Sequence, residues 1–251
     1  MSAGRVAFLD TRFDTLTAPE VRNWIAARAP ADGFAYVVTP NVDHMVRLAK
    51  APPEVRRAYD EAGLLVCDSR VLARLAKFAG VELSVVPGSD LTALLFAEVI
   101  RAGDRICLIG GEPDHPAKLA QRYPGVEIVQ HQPPHGLRTN AAARADCVDF
   151  AAANPARLIL LAVGSPQQEM LAREMAESGR VTGTALCIGA SVDFLVGAQQ
   201  RAPEWVQKAN LEWAWRLLGN PRRLAKRYLV DGPAIFPMVW RWRATQRRRA
   251  S

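Results

Sequence analysis

Short runs of apolar residues alternate along most of this chain with stretches in which apolar residues recur every three or four positions. The runs predict strands, and the stretches predict helices. Residues 158–163 are apolar throughout, which is typical of a strand that a parallel sheet buries on both faces. The alternation therefore predicts an α/β fold, with a parallel-sheet, Rossmann-like core and helices on both faces.

The same pattern predicts the individual elements. Thr17 and Glu20 form a capping-box pattern, which predicts a helix from there to residue 27. Ser165 and Pro166 suit the N-cap and the first position of a later helix. Further helices are predicted over residues 43–49, 54–62, 71–78, 92–101 and 141–153, and up to residue 123. Strands are predicted over residues 6–9, 34–38, 64–67, 105–109, 126–129, 158–163 and 185–188.

Polar residues and glycines follow the predicted strands. Ligands of open α/β sheets bind beyond the carboxyl ends of the strands. The pattern therefore predicts a ligand site among the residues at these ends, which are Thr39, Asp68, Gly110, Gly164 and Gly189.

Several of these residues have both a structural and a functional interpretation. The spacing of Asp68 favours an N-cap, and its chemistry also suits a general base that takes a proton from a hydroxyl. Thr39 and Asn41 fit turn chemistry around a proline. Gly110 and Gly111 fit a tight turn, or a helix start where backbone amides approach a diphosphate.

No metal or cofactor is expected. The chain has no Asp-x-Asp and no Cys-x-x-Cys, and His131 and His135 flank two prolines in what is predicted to be a solvent loop. Three of the four cysteines, Cys67, Cys107 and Cys187, lie in or beside apolar strand-like runs, as small core residues do. The negative charge of a departing diphosphate would then be stabilised by backbone amides and arginines. The candidate arginines are Arg201, Arg216, Arg222, Arg223 and Arg227.

The last fifty residues differ from the rest in charge and in aromatic content. Residues 201–251 hold 12 basic and 3 acidic residues, a net charge of +9, whereas the other 200 residues hold 20 basic and 22 acidic residues. The net charge of +7 therefore comes entirely from residues 201–251. They also contain five of the six tryptophans. Trp prefers the membrane interface, and basic clusters attract anionic head groups; nucleic acid is the competing partner. No apolar run approaches the roughly 20 residues of a spanning helix, so we expect peripheral binding.

We therefore divide the chain into a catalytic α/β domain, residues 1–200, and a basic helical appendage, residues 201–251. The appendage begins with residues 201–229, RAPEWVQKANLEWAWRLLGNPRRLAKRYL. Their apolar spacing predicts a helix that ends at Gly219-Asn220-Pro221, followed by a second short helical piece. This stretch resembles the C-terminal signature of the WecG/TagA/CpsF glycosyltransferases, glycosyltransferase family 26. Other matching segments follow in the family's order over roughly residues 35–236: Thr39-Pro40-Asn41, Asp68, Gly88-Ser89-Asp90-Leu91, Ile109-Gly110-Gly111, Gly164-Ser165-Pro166-Gln167-Gln168-Glu169 and Val192-Asp193-Phe194-Leu195-Val196-Gly197.

The resemblance implies transfer of a sugar from a UDP-sugar to an undecaprenyl-diphosphate-linked saccharide, with inversion, in cell-surface or exopolysaccharide synthesis. It implies that Asp68 is the base, with Thr39 and Asn41 beside it. Gln168 and Glu169 would contact uridine or ribose. Asp193 is a second candidate for the base, although pairing with Arg201 is the favoured interpretation.

The sequence departs from the family pattern in two of the matching segments, around Asp68 and between Gly164 and Glu169. The usual Ala-Asp-Gly reads Cys67-Asp68-Ser69 here, and Gln167 replaces a usual Lys. The location implied is the cytoplasmic face of the cytoplasmic membrane, with an anionic surface as partner and no nucleic acid. The alternatives are a nucleotide-dependent oxidoreductase, which the missing G-x-G-x-x-G disfavours, and a basic-tailed nucleic-acid-binding module.

Overall fold

A computed structural model describes residues 4–198, 202–203, 206, 212–219 and 221–250. Its strands are β1 (Arg5–Phe8), β2 (Thr11–Asp14), β3 (Phe34–Val38), β4 (Leu64–Leu65), β5 (Arg105–Gly110), β6 (Glu127–His131), β7 (Leu158–Ala162) and β8 (Gly183–Cys187). Its helices in the first 198 residues are α1 (Ala18–Ala27), α2 (Val42–Leu48), α3 (Pro53–Asp60), α4 (Arg70–Phe78), α5 (Gly88–Glu98), α6 (His115–Arg122), α7 (Ala141–Ala153), α8 (Gln167–Ser178) and α9 (Ser191–Leu195).

Six strands form one parallel sheet in the order β4-β3-β8-β7-β5-β6. The central strand β7 is buried from Leu158 to Leu161, because helices cover both of its faces. Leu171 and Met175 of α8 belong to the hydrophobic core on one face. Leu91 and Leu95 of α5 belong to the core on the other face. The predicted α/β architecture is confirmed.

Several predicted boundaries shift in the structure. The capping box at Thr17 and Glu20 is present at the start of α1. Helix α5 begins at Gly88, four residues before the predicted start at residue 92. Strand β4 contains only two residues, and Cys67 instead pairs with Val85 in an isolated bridge.

An antiparallel hairpin of β1 and β2 was not predicted beyond its first strand. Its two-residue turn places Leu9 and Asp10 at φ of 50° and 58°, which non-glycine residues adopt less readily than the usual Asn-Gly. Asp14 accepts two hydrogen bonds that help to hold the hairpin. Its Oδ2 accepts from the Leu65 amide at 2.8 Å, and its Oδ1 accepts from Arg5 Nε at 3.0 Å. The hairpin thereby lies against the edge strand β4.

All four cysteines are free and buried. Burial raises the pKa of the Cys67, Cys107 and Cys147 thiols to about 12. It also raises the pKa of the Cys187 thiol well above its ordinary value. Because the thiolate is the reactive form, these thiols are inert core residues at neutral pH.

The C-terminal segment continues as α10 (Glu212–Gly219), α11 (Pro221–Ala225), a π-helical turn (Lys226–Asp231) and α12 (Ile235–Ala250). Ile235 and Val239 of α12 are buried in the same core cluster as the sheet residues. The Trp242 ring meets the Phe8 ring edge-on at 5.3 Å. In the described ranges, no helix combines the length and the apolar character needed to cross a membrane.

Candidate active site

The first group of candidate residues surrounds the N-terminus of α5. Asp68 Oδ1 accepts from the Gly88 amide at 2.7 Å. Because the N-terminus of a helix carries partial positive charge, it stabilises this carboxylate. Asp68 does not cap the helix that follows it in sequence; Ser69 caps α4 by accepting from the Leu72 amide at 3.2 Å. Ser69, which replaces the glycine usual in the family, thus has a structural role as the N-cap of α4.

Thr39 lies at the same helix start. A Cβ at Gly88 would be 3.0 Å from Thr39 Oγ1 and 3.7 Å from Ser191 Oγ. The first of these contacts is tight, so glycine lets α5 approach the residue that follows β3. The Asp68 amide also donates to the Pro40 carbonyl at 3.0 Å. Thr39, Asp68 and the start of α5 therefore come together. The motif at Gly88 was noted in the sequence but given no role.

Asn41 has a clear structural role in this group. Its Oδ1 accepts from the amides of Asp43 and His44 at 3.1 and 3.3 Å, so it is the N-cap of α2. This agrees with the structural interpretation of Asn41, as a residue that stabilises the turn around Pro40. A contact between Asn41 and a ligand stays a prediction.

Gly110 and Gly111 form a second group at the end of β5, with φ of 86° and 76°. A Cβ on Gly110 would be 2.7 Å from Val163 Cγ1, and one on Gly111 would be 2.8 Å from His115 Nδ1. Both positions therefore require glycine for packing as well as for φ. The pair does not open a helix as predicted, because α6 begins only at His115.

Asp193 meets a residue that the sequence analysis did not consider. His115 Nδ1 accepts from the Glu112 amide at 3.2 Å, so the neutral imidazole carries its proton on Nε2. This Nε2 lies 3.5 Å from Asp193 Oδ1. His115 is buried, and the pair joins the start of α6 to α9. The predicted partner, Arg201, lies outside the described residues.

The segment from Gly164 to Glu169 forms a third group, between β7 and β8. Gly164 has a φ of 80°, and its carbonyl accepts from the Gln168 amide at 3.0 Å. Pro166, and not Ser165, is the N-cap of α8. The predicted N-cap is therefore wrong by one residue. Ser165 instead contacts α3, with its Oγ 3.2 Å from the Tyr59 hydroxyl.

Gln168 and Glu169 point into the protein. Gln168 Oε1 accepts from the Gly189 amide at 3.0 Å, and its Nε2 donates to Glu169 Oε1 at 2.8 Å. Their exposed fractions are 2% and 0%. In this structure the two side chains link α8 to the loop after β8. This placement gives both side chains a structural role, and a contact of either with uridine or ribose stays a prediction.

Burial raises the pKa of Glu169, and the Gln168 amide, the Ser165 hydroxyl and the positive charge of Arg47 act in the opposite direction. Its Oε2 has no hydrogen-bond partner within the described residues. Arg47 also donates from Nη1 to the Ser165 carbonyl at 2.7 Å. The loop after β7 is thus held from α2, α3 and its own helix.

The raised pKa makes a stability prediction. The folded protein retains the Glu169 proton to higher pH than the unfolded chain, so this contribution is fully present below the ordinary value of 4.5 and is lost as pH rises through the folded pKa. Glu169→Gln removes the titration. Between pH 4.5 and the raised pKa of Glu169 in the folded protein, the melting temperature of the Glu169→Gln variant should gain about 3 °C per pH unit relative to wild type. Thermal melts across pH test this, with exposed Glu54→Gln as control; a constant difference would contradict it.

A cavity of about 470 Å³ opens beside Ser165 and Pro166. Arg47, Lys50 and Arg138 contribute basic groups, and the C-terminal segment closes one side with Val230, Asp231 and Ala234. Asp68 is not among its lining residues. The cavity therefore adjoins the third group and not the candidate base.

The predicted arginines are described only in part. Arg222 is exposed on α11. Arg201 and the side chains of Arg216, Arg223 and Arg227 lie outside the described part of the chain. Their approach to a bound diphosphate stays a prediction.

The potential metal ligands are scattered. Across the described ranges, no group of three His, Cys, Asp or Glu side chains is placed to hold a metal ion. His135 is exposed, as a solvent loop predicts. His131 is not in such a loop: it ends β6, and its ring stacks on Phe150 with centroids 5.2 Å apart.

The three groups lie at the carboxyl edge of one parallel sheet, where α/β enzymes bind their ligands. The loop after β5 leads to a helix on one face, and the loop after β7 leads to a helix on the other. A family model described as the glycosyl transferase WecG/TagA/CpsF family matches residues 6–249, more of the chain than the 35–236 expected. The chain therefore belongs to the WecG/TagA/CpsF family of glycosyltransferases.

Proposed function

We propose that the protein transfers a hexose, hexuronate or N-acetylhexosamine from a UDP-sugar to an undecaprenyl-diphosphate-linked saccharide, with inversion, in the synthesis of a cell-surface or exocellular polysaccharide. The observation that carries the proposal is the placement of Asp68 beside Thr39 at the carboxyl edge of the sheet. Family membership makes the chain a glycosyltransferase and argues against the oxidoreductase and nucleic-acid-binding alternatives.

In the proposed reaction Asp68 takes the proton of an acceptor hydroxyl, because a hydroxyl is a poor nucleophile until it is deprotonated. The oxygen forms a bond to the anomeric carbon as the bond to UDP breaks. UDP leaves with the electron pair, and a single displacement inverts the anomeric centre. The Gly88 amide holds Asp68 Oδ1 and so orients the carboxylate. Backbone amides and arginines of the C-terminal segment stabilise the departing diphosphate.

The acceptor is lipid-linked, so the enzyme has to work at a membrane surface. Across the described ranges, the exposed large hydrophobic side chains lie in the C-terminal segment, apart from Phe78. Leu218 is 81% exposed and Val230 is 67% exposed. Contiguous exposed apolar residues mark membrane or protein contacts, and the surrounding positive charge favours anionic lipid. These features support peripheral docking, which we place on the cytoplasmic face because the family resemblance implies it.

The most direct test is a panel of UDP-sugars with a lipid-diphosphate-sugar acceptor, read by product mass. One donor should give a product one sugar heavier than the acceptor. Hydride transfer to or from NAD(P)H, with no sugar transfer from any donor, would overturn the proposal in favour of the oxidoreductase alternative.

Transfer should not depend on a divalent ion. The sequence lacks the Asp-x-Asp with which many nucleotide-sugar transferases hold such an ion, so arginines and amides should carry the leaving-group charge. We expect turnover in excess EDTA to stay within about twofold of the untreated rate. Loss of activity on chelation, with recovery on adding Mg²⁺ or Mn²⁺, would contradict this assignment of the leaving-group chemistry.

A further inference from the structure

Three exposed basic side chains form a row on the outer side of α4. Arg70, Arg74 and Lys77 are spaced by four and three residues, which places them on one face of the helix. Leu72 and Ala76, on the opposite face, are buried in the core. Within the part of the chain that the structure describes, these three cations form no ion pair. Their charges therefore face solvent.

An aromatic contact continues this row onto α12. The ring of Phe78, the last residue of α4, stacks on the Trp240 ring with centroids 6.4 Å apart. The Arg243 guanidinium lies 4.2 Å from the centroid of the Phe78 ring, within reach of a cation–π interaction. Phe78 is nevertheless 49% exposed and Trp240 is 68% exposed. We call the combined surface the α4–α12 surface: Arg70, Arg74, Lys77, Phe78, Phe236, Trp240 and Arg243.

The composition of this surface identifies the chemistry of its partner. Helix α12 contains five arginines and no acidic residue, and Glu82 is the only acid between Asp68 and Asp90. Basic groups of this kind attract phosphates of lipid or of nucleic acid. The exposed rings of Phe236 and Trp240 distinguish the two, because aromatic rings beside cations are typical of a protein surface that enters a lipid interface.

We propose that the α4–α12 surface docks on an anionic lipid bilayer, so that the catalytic domain itself contacts the membrane together with the C-terminal segment. This inference rests on the membrane docking in the proposed function and extends it to α4. The residue after Asp68 is the N-cap of α4, and a nine-residue helix is about 13 Å long. Docking along α4 therefore holds Asp68 within about 15 Å of the head groups, the layer to which a lipid-linked sugar is confined.

The test is cosedimentation of the full-length protein with vesicles of phosphatidylglycerol and phosphatidylcholine, compared with phosphatidylcholine alone. The variant Arg70→Gln/Arg74→Gln/Lys77→Gln should bind the anionic vesicles about a hundredfold more weakly than wild type. It should melt at the wild-type temperature, because the three side chains are exposed. The control removes three exposed charges from the opposite face, as Arg101→Gln/Lys118→Gln/Arg122→Gln, and should bind within about threefold of wild type. Because Lys118 pairs with Asp114 and Arg122 donates to the Leu195 carbonyl, its melting temperature is measured as well.

The outcomes separate this inference from the function on which it rests. If wild type and the α4 variant bind anionic vesicles equally, α4 does not dock, while docking through the C-terminal segment stands. If wild type ignores anionic vesicles, docking is wrong for both surfaces, and transfer to a detergent-soluble acceptor still tests the glycosyl transfer by itself. If wild type binds duplex DNA but not vesicles, and the α4 variant loses that binding, the partner is a nucleic acid and the lipid assignment is overturned.

Discussion

Asp68→Asn should lower kcat by roughly two to four orders of magnitude while leaving the affinity for UDP nearly unchanged. Asparagine has almost the same shape, and its Oδ1 can still accept from the Gly88 amide as Asp68 Oδ1 does at 2.7 Å. The hydrogen bond to the start of α5 is therefore retained, whereas the charge and the basicity of the carboxylate are lost. Steady-state kinetics with a detergent-soluble acceptor would measure the first effect, and calorimetric titration with UDP the second.

The same substitution decides between the two interpretations of Asp68. A capping residue tolerates asparagine, so near-normal turnover would show that Asp68 only holds the start of α5. Asp193→Asn is the matched variant, since Asp193 is the second candidate for the base and lies 3.5 Å from His115 Nε2. A much larger loss in Asp193→Asn than in Asp68→Asn would move the base to α9.

Replacing Leu218, Leu229, Val230 and Phe236 by serine should weaken binding to anionic vesicles by roughly a thousandfold, at about 1 kcal/mol for each partly inserted side chain. Transfer to an acceptor in those vesicles should fall with it, because the enzyme no longer stays where the acceptor is. Transfer to a detergent-soluble acceptor should change little. All four side chains are exposed, so their replacement should not affect folding.

Substitution separates docking from folding better than removal of residues 201–251 would. Ile235 and Val239 are buried in the core, and Trp242 packs on Phe8. Deleting them would open the core, at roughly 2–5 kcal/mol for each large side chain lost, and would unfold the chain whether or not the segment docks. If the serine variant still sediments with vesicles and turns over lipid-linked acceptor normally, the exposed apolar residues do not dock the enzyme.

Much of the fold was predictable because burial and helix capping require particular residue types at neighbouring positions in the sequence. A strand covered on both faces has to be apolar throughout, and residues 158–163 show this directly. The capping box at Thr17 and Glu20 is likewise complete within four residues. The β1–β2 hairpin has no such local sequence pattern, because Leu9 and Asp10 do not resemble a usual hairpin turn. Asp14 helps hold it by accepting hydrogen bonds from Arg5 within the hairpin and from the distant Leu65.

The candidate site divides in the same way. From the residues alone one can place Thr39, Asp68, Gly110 and Gly164 after strands and expect them at one edge of a sheet. The family resemblance adds the reaction and the role of Asp68. Neither source could pair Asp68 with Gly88, Asp193 with His115, or Gln168 with Gly189. The spacing of residues reports local backbone preference, whereas these partners depend on the order of the strands and the faces on which the connecting helices lie, which only the folded chain determines.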